Sequence, residues 1–146
     1  MVVVIDDRNK EKFNLERFLK AQDFFWGHAF QEIQDGLKSS HWIWFIFPQL
    51  AILGHSKKSK LYGISGYDEA VAYLNHPILG ERLRLITRAL LTHQDKAISE
   101  IFDGVDVLKV RSCMTLFDAV SPNDIFDEVL KVFYNGICDK RTLDYM

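Results

Sequence analysis

Two histidines, one lysine and a dense group of aromatic rings are the residues of this chain best suited to chemistry. The segment Ser40-His41-Trp42-Ile43-Trp44-Phe45-Ile46-Phe47-Pro48-Gln49 places four aromatic rings within six positions and sets His41 and Gln49 at its ends. An indole face left open there would stack a flat ligand, with His41 and Gln49 supplying hydrogen bonds. The alternative is that Trp42 and Trp44 plug the core, because large aromatics dominate core energetics. His55 and Ser56 follow Gly54 and precede Lys57, Lys58 and Lys60. This small basic loop either meets an anion or stands in solvent as an ordinary charged surface. Tyr62 follows closely and could lend its phenol to the same place.

Lys109 shares a helical face with Val105, Leu108, Ser112 and Leu116, so an ammonium joins a largely apolar seam. Either its long stem carries the charge out to water, or it is a fixed cation at a pocket edge, suited to phosphate or carboxylate. Ser112 lies within one turn and Thr115 within two; their hydroxyls bond a ligand or the preceding carbonyls. Gln22 sits in the middle of another apolar stripe. A buried amide without partners costs about 1–3 kcal/mol, so Gln22 ties its helix to a loop or touches a ligand.

The candidate set is therefore His41 and His55 as acid–base groups near neutral pH, with Gln22, Trp42, Trp44, Gln49, Ser56, Tyr62, Lys109, Ser112 and Thr115 as ligand contacts. A hydrolase or transferase would draw on the two histidines. Histidines 28, 41, 55, 76 and 93 include no pair three to five apart, and CxxC, HxxxH and HExxH are absent, so no metal site is expected. GxGxxG, GxSxG and GxxxxGK(S/T) are absent too, and no cofactor is implied.

The elements that must position these residues are helical. Asn14 predicts an N-cap, and Leu15, Phe18, Leu19, Gln22, Phe25, Trp26, Ala29, Phe30 and Ile33 recur at helical spacing up to a stop at Gly36. Ser65 with Asp68 predicts a capping-box start, followed by a stripe ending at His76. Pro77 opens a further helix through Leu90. A short helix over 97–102, an apolar one from Asp103 or Gly104 to Val120, and one from Ser121-Pro122 to Gly136 complete the set. The last ten residues are polar and are expected to pack loosely. The aromatic segment is too short for periodicity to decide between strand and helix. The expected architecture is all-α: an N-terminal arm over 1–13, then a single compact domain over 14–146 of about six helices with short connections.

Composition agrees. The chain has 146 residues, 48% hydrophobic, 26% charged and 13% aromatic, enough to bury roughly 70% of the surface exposed on unfolding without metal or disulfide. Cys113 and Cys138 are expected to be reduced. Eighteen Lys and Arg against twenty Asp and Glu leave a net charge of −2, which argues against a nucleic-acid partner or an anionic membrane surface. No apolar run approaches the roughly 20 residues that span a bilayer, and no signal-peptide pattern is present, so a soluble, cytoplasmic protein is expected. Function divides between two readings. One is a pocket for a small anionic, nucleotide-like molecule; the other is a non-catalytic interaction module that docks a partner helix or forms a homo-oligomer.

In order and spacing, SHWIWFIFPQ, Leu53-Gly54-His55-Ser56, Tyr62-Gly63-Ile64, Tyr73-Leu74-Asn75-His76-Pro77-Ile78-Leu79-Gly80, and Lys109 with Ser112, Met114, Thr115, Leu116 and Phe117 resemble the domain-of-unknown-function-1810 family across about residues 14 to 143. The resemblance implies an all-α fold. It implies no established activity and no catalytic residue. Members sometimes carry the label calpastatin, which fits poorly with a compact, aromatic-rich chain, since the calpain inhibitor of that name is a disordered repeat protein.

Overall fold

In the computed structural model, residues 12–146 are described, and they fold as eight α-helices with two 3-10 turns and no strand. The arm expected over 1–13 lies, through residue 11, outside them. The longest helix, α1 (Glu16–Asp35), turns Phe18, Gln22, Ala29 and Ile33 into the core. It ends at Gly36, whose φ of 80° supplies the left-handed cap that the sequence predicts. Its start differs from expectation. Asn14 is not the N-cap but adopts φ 51°, and Leu15 opens the helix instead.

The aromatic segment resolves into a single helical turn, α2 (Ile43–Ile46), closed by Phe47 and Pro48. Trp42, Ile43, Phe45, Ile46 and Phe47 are all buried. The 3-10 turn Ala51–Leu53 and the short α3 (Lys57–Leu61) follow. An isolated parallel bridge between Leu50 and Ile64 ties the two ends of this excursion together through Ala51 N to Ile64 O and Ile64 N to Gln49 O, each 2.8 Å.

Next come α4 (Tyr67–Asn75) and α5 (Leu79–Leu91). Glu69, rather than Asp68, reaches back to cap α4, its Oε1 accepting from Ser65 N at 2.8 Å. At the expected break, His76 Nδ1 accepts from the backbone N–H groups of Ile78 and Leu79, capping α5. The short helix expected over 97–102 is a 3-10 turn, Ile98–Glu100. The remaining helices are α6 (Gly104–Val120), α7 (Ile125–Tyr134) and α8 (Lys140–Tyr145). α6 packs against α4, α7 and α8, while α5 joins α1, α4 and α7. The tail expected to be loose is therefore a helix. Asp139 caps it by accepting from Thr142 N at 2.9 Å, and Thr142 is fully buried. Neither Cys113 nor Cys138 is disulfide-bonded, and burial pushes the Cys113 thiol up from its ordinary range.

Two polar knots hold the loops against α1. Arg17 donates to the carbonyls of Leu61 and Gly63 and pairs with the buried Glu69 at 2.8 Å, joining α1 to the end of α3 and the start of α4. At the other end of α1, Glu32 accepts from Ser39 N, Ser40 N, the Ser40 hydroxyl and Trp42 Nε1, all within 3.0 Å. Burial opposes the Glu32 charge, but these four donors outweigh it and pull its pKa from 4.5 down to about 2. A carboxylate favoured in this way stabilises the fold above the unfolded-state pKa and loses that contribution as pH falls from about 5 towards 2. Because Glu32 is partly exposed, its share is about 1–2 kcal/mol. Glu32→Gln should lose that amount in urea titrations at neutral pH, and its deficit against the parent should shrink as the pH is lowered through this window. A pH-independent deficit would contradict the account.

Candidate functional site

A solvent-open groove of about 520 Å³ runs between three parts of the chain. Its floor is the first half of α6, with Val105, Leu108, Lys109, Arg111 and Ser112. One wall is the loop from the 3-10 turn into α3, with Leu53, Gly54, His55, Ser56 and Ser59; the other is the start of α8, with Asp139 and Arg141. Gln49 lines it too, and also lines a narrow crevice of about 10 Å³ with Trp44, Tyr62, Ser59 and Lys109.

The helical seam read from Val105, Leu108, Lys109 and Ser112 is real, and it splits along its length. Val105 and Leu108 are 66% and 56% exposed, whereas Ser112 and Leu116 are buried. The seam leaves the core and becomes the groove floor. Lys109 sits where it crosses over, with Nζ 5.4 Å from the Trp44 ring centre and 4.0 Å from Asp106. Asp106 has a closer partner in Lys38 at 2.9 Å, so the Lys109 charge is only weakly neutralised. Lys58 also lies over the Trp44 ring, at 4.7 Å.

Arg111 is the groove's most constrained cation. One of its terminal nitrogens meets Asp139 Oδ1 at 3.6 Å, while Nε is buried without a hydrogen-bond partner. The Asp139 Oδ2 oxygen is committed to the cap of α8, accepting from Thr142 N and from the Thr142 hydroxyl. Arg141 stands exposed at the lip. The serine hydroxyls are already engaged: Ser112 donates to Leu108 O at 3.0 Å, and Ser56 caps α3 by accepting from Ser59 N at 3.1 Å. Recognition in the groove thus falls chiefly to Lys109, Arg111 and Arg141, to Gln49 and His55, and to the apolar Leu53, Val105 and Leu108.

The sequence-derived candidates divide. Gln49, His55, Ser56, Lys109 and Ser112 line the groove, and Trp44 and Tyr62 line the adjoining crevice. Four are elsewhere. Gln22 is buried, with its amide donating to Phe45 O at 2.7 Å and to the Tyr73 hydroxyl at 3.0 Å, the loop tie rather than a groove contact. Trp42 is a core plug whose indole N–H bonds Glu32. Thr115 is 1% exposed and braces the tail, donating to Arg111 O and accepting from Asp139 N at 2.9 Å. His41 is exposed on the loop before α2 and is not among the groove-lining residues. Sequence reading missed Arg111, Asp139 and Arg141. The spacing Asp139–Thr142 is a helix-start signal that would have placed the last two on an ordered element.

Among the described residues no group of three or more His, Cys, Asp or Glu is placed to hold a metal ion, and no helix is long and apolar enough to cross a membrane. Fold and groove together define a small all-α protein with an open, cation-lined cleft. The chain belongs to the family described as "Protein of unknown function (DUF1810)", whose profile matches residues 12–146. It is similar to a conserved hypothetical protein from Mycobacterium tuberculosis, Rv1873, with a crystal structure at 1.38 Å: 42% identity, 91% of this chain and 96% of that one covered, and a TM-score of 0.89. No curated protein shows significant similarity.

Thr115→Val tests whether Thr115 braces the tail. Removing the acceptor for Asp139 N should cost about 1–2 kcal/mol in chemical unfolding and speed amide exchange across 139–145. Unaltered exchange there would free Thr115 for some other role.

Proposed function

We propose that the groove binds a small anionic molecule. The observation that carries this reading is the gathering of cations in one open cleft: Lys109, Arg111 and Arg141 all line it. Three cations face a single lining carboxylate, Asp139, which itself caps a helix. His55, on the opposite wall, would serve as acid–base group if a reaction follows binding; His41 is not among the residues that line the groove.

A second reading, a docking module for a partner helix or a second copy of the chain, draws on the exposed Val105 and Leu108 of the groove floor and on Phe24, 77% exposed on α1. Light scattering of concentrated protein separates the self-associating version: a strict monomer removes it.

The anion reading is tested by thermal denaturation against nucleotides, inorganic phosphate and small carboxylates. A ligand that binds only the folded chain raises the melting temperature by mass action, by several degrees at about 100-fold excess over Kd. Lys109→Met should fold with a nearly unchanged melting temperature and lose that shift. No shift from any anion, or a full shift retained by the variant, defeats the reading.

A further inference from the structure

We infer that the groove's occupant is a short acidic segment of a partner protein, with apolar side chains set between its carboxylates. The inference rests on the proposed reading of the groove as an anion site and names what carries the anion. It starts from the order of side chains along α6. Val105, Leu108 and Ser112, spaced three and four apart, make one stripe down the groove floor. Lys109 and Arg111 are two positions apart, so they leave the helix on opposite flanks of that stripe. Their contacts agree: Lys109 Nζ lies 5.4 Å from the Trp44 ring centre, whereas Arg111 reaches Asp139 on the tail wall at 3.6 Å.

Each rim carries a second cation. Lys58 of α3 shares the Trp44 ring with Lys109, at 4.7 Å, and Arg141 stands exposed on the helix that Asp139 caps. The nearby acids do not cancel these charges. Asp106 is held by Lys38 at 2.9 Å and lies 4.0 Å from Lys109, and Asp139 has one oxygen committed to α8. With Lys38 counted, five cations stand against these two carboxylates, and the surplus is positive whether His55 is neutral or protonated.

A single anionic head meets one rim and leaves the other unmatched, whereas carboxylates spaced along a chain meet both. Between the rims Val105 and Leu108 are 66% and 56% exposed, and an anion alone would leave them in water. Gln49 and His55 add hydrogen-bonding groups of the kind that meet peptide amides. The hydroxyls of Ser56, Ser59 and Ser112 are engaged with one another or with Leu108 O. Acids, apolar side chains and amides in one ligand are the chemistry of a peptide, and a cleft open to solvent admits a chain that continues beyond it.

Fluorescence anisotropy tests this with a labelled short peptide, acetylated and amidated, in which leucines alternate with glutamates. Two control peptides carry glutamine for every glutamate or serine for every leucine. The parent peptide should bind about tenfold or more tightly than either control, and its affinity should fall as salt is raised. Leu108→Ser, at an exposed position, should weaken it about tenfold, and Arg141→Gln should weaken it severalfold and flatten the salt dependence. Phe24→Ser, which removes the exposed ring on α1, should leave binding unchanged. Inorganic phosphate is titrated in parallel by calorimetry. Equal binding of the glutamine peptide overturns recognition by charge, and equal binding of the serine peptide overturns the apolar stripe. Undiminished binding in Leu108→Ser, or lost binding in Phe24→Ser, overturns the assigned location. Phosphate binding without peptide binding overturns this inference and leaves an anion groove in place, and binding of neither overturns both.

Discussion

Six consecutive apolar side chains, Trp42 to Phe47, impose the constraint around which the rest of the structure is arranged. A strand would present them to two faces and a long helix would carry half of them into water. One turn of helix, closed by Phe47 and Pro48, can be surrounded on nearly every side, leaving only Trp44 half-buried. That solution strands backbone polar groups in an apolar setting, where each must find a partner. Gln22 reaches across from α1 to Phe45 O, and Glu32 gathers the N–H groups of Ser39 and Ser40 together with the Trp42 indole. The polar residues within the oily stripe of α1 are thus there to hold the aromatic turn.

The groove is a by-product of the same arrangement. Once Pro48 ends the turn, the chain must return to the surface, and it does so through Gln49, the 3-10 turn and α3, pinned by the Leu50–Ile64 bridge. A Cβ on Gly54 would stand 2.3 Å from Ser59 Cβ, so glycine is what lets this return fold tightly on itself. Opposite stands α6, buried through its second half and emerging at its first. The tail closes the third side because Thr115 and Arg111 hold Asp139. Cations collect in the resulting cleft for an elementary reason: long basic side chains can lie along apolar surface while their heads reach water.

The helices with a one-sided apolar stripe were legible in advance. The stops at Gly36 and His76, and the body of α6, follow from side-chain types that act locally. Short elements were not legible, because four to six residues contain too little periodicity to distinguish one geometry from another. The start of α1 misled for a different reason: asparagine serves as well in the left-handed conformation as at an N-cap, and Asn14 takes the former. At the tail, polar composition does not mean looseness, because one buried threonine and an aspartate cap suffice to order a turn and a half of helix.

By itself the sequence determined the all-α class, the main helices, and the presence of a lysine out of place on an apolar face, since these depend on neighbours a few positions away. Tertiary structure alone decided which polar residues converge. Gln22, Lys109 and Thr115 look alike in the sequence, each a polar group among apolar ones. Only packing assigns Gln22 to a carbonyl across the core, Thr115 to the tail, and Lys109 to an open cleft beside Arg111 and Arg141. Hydrogen-bond partners 23 or 24 residues away, as for Gln22 with Phe45 and Thr115 with Asp139, leave no trace in local spacing. They are fixed by the requirement that every group removed from water be satisfied where the chain happens to meet itself.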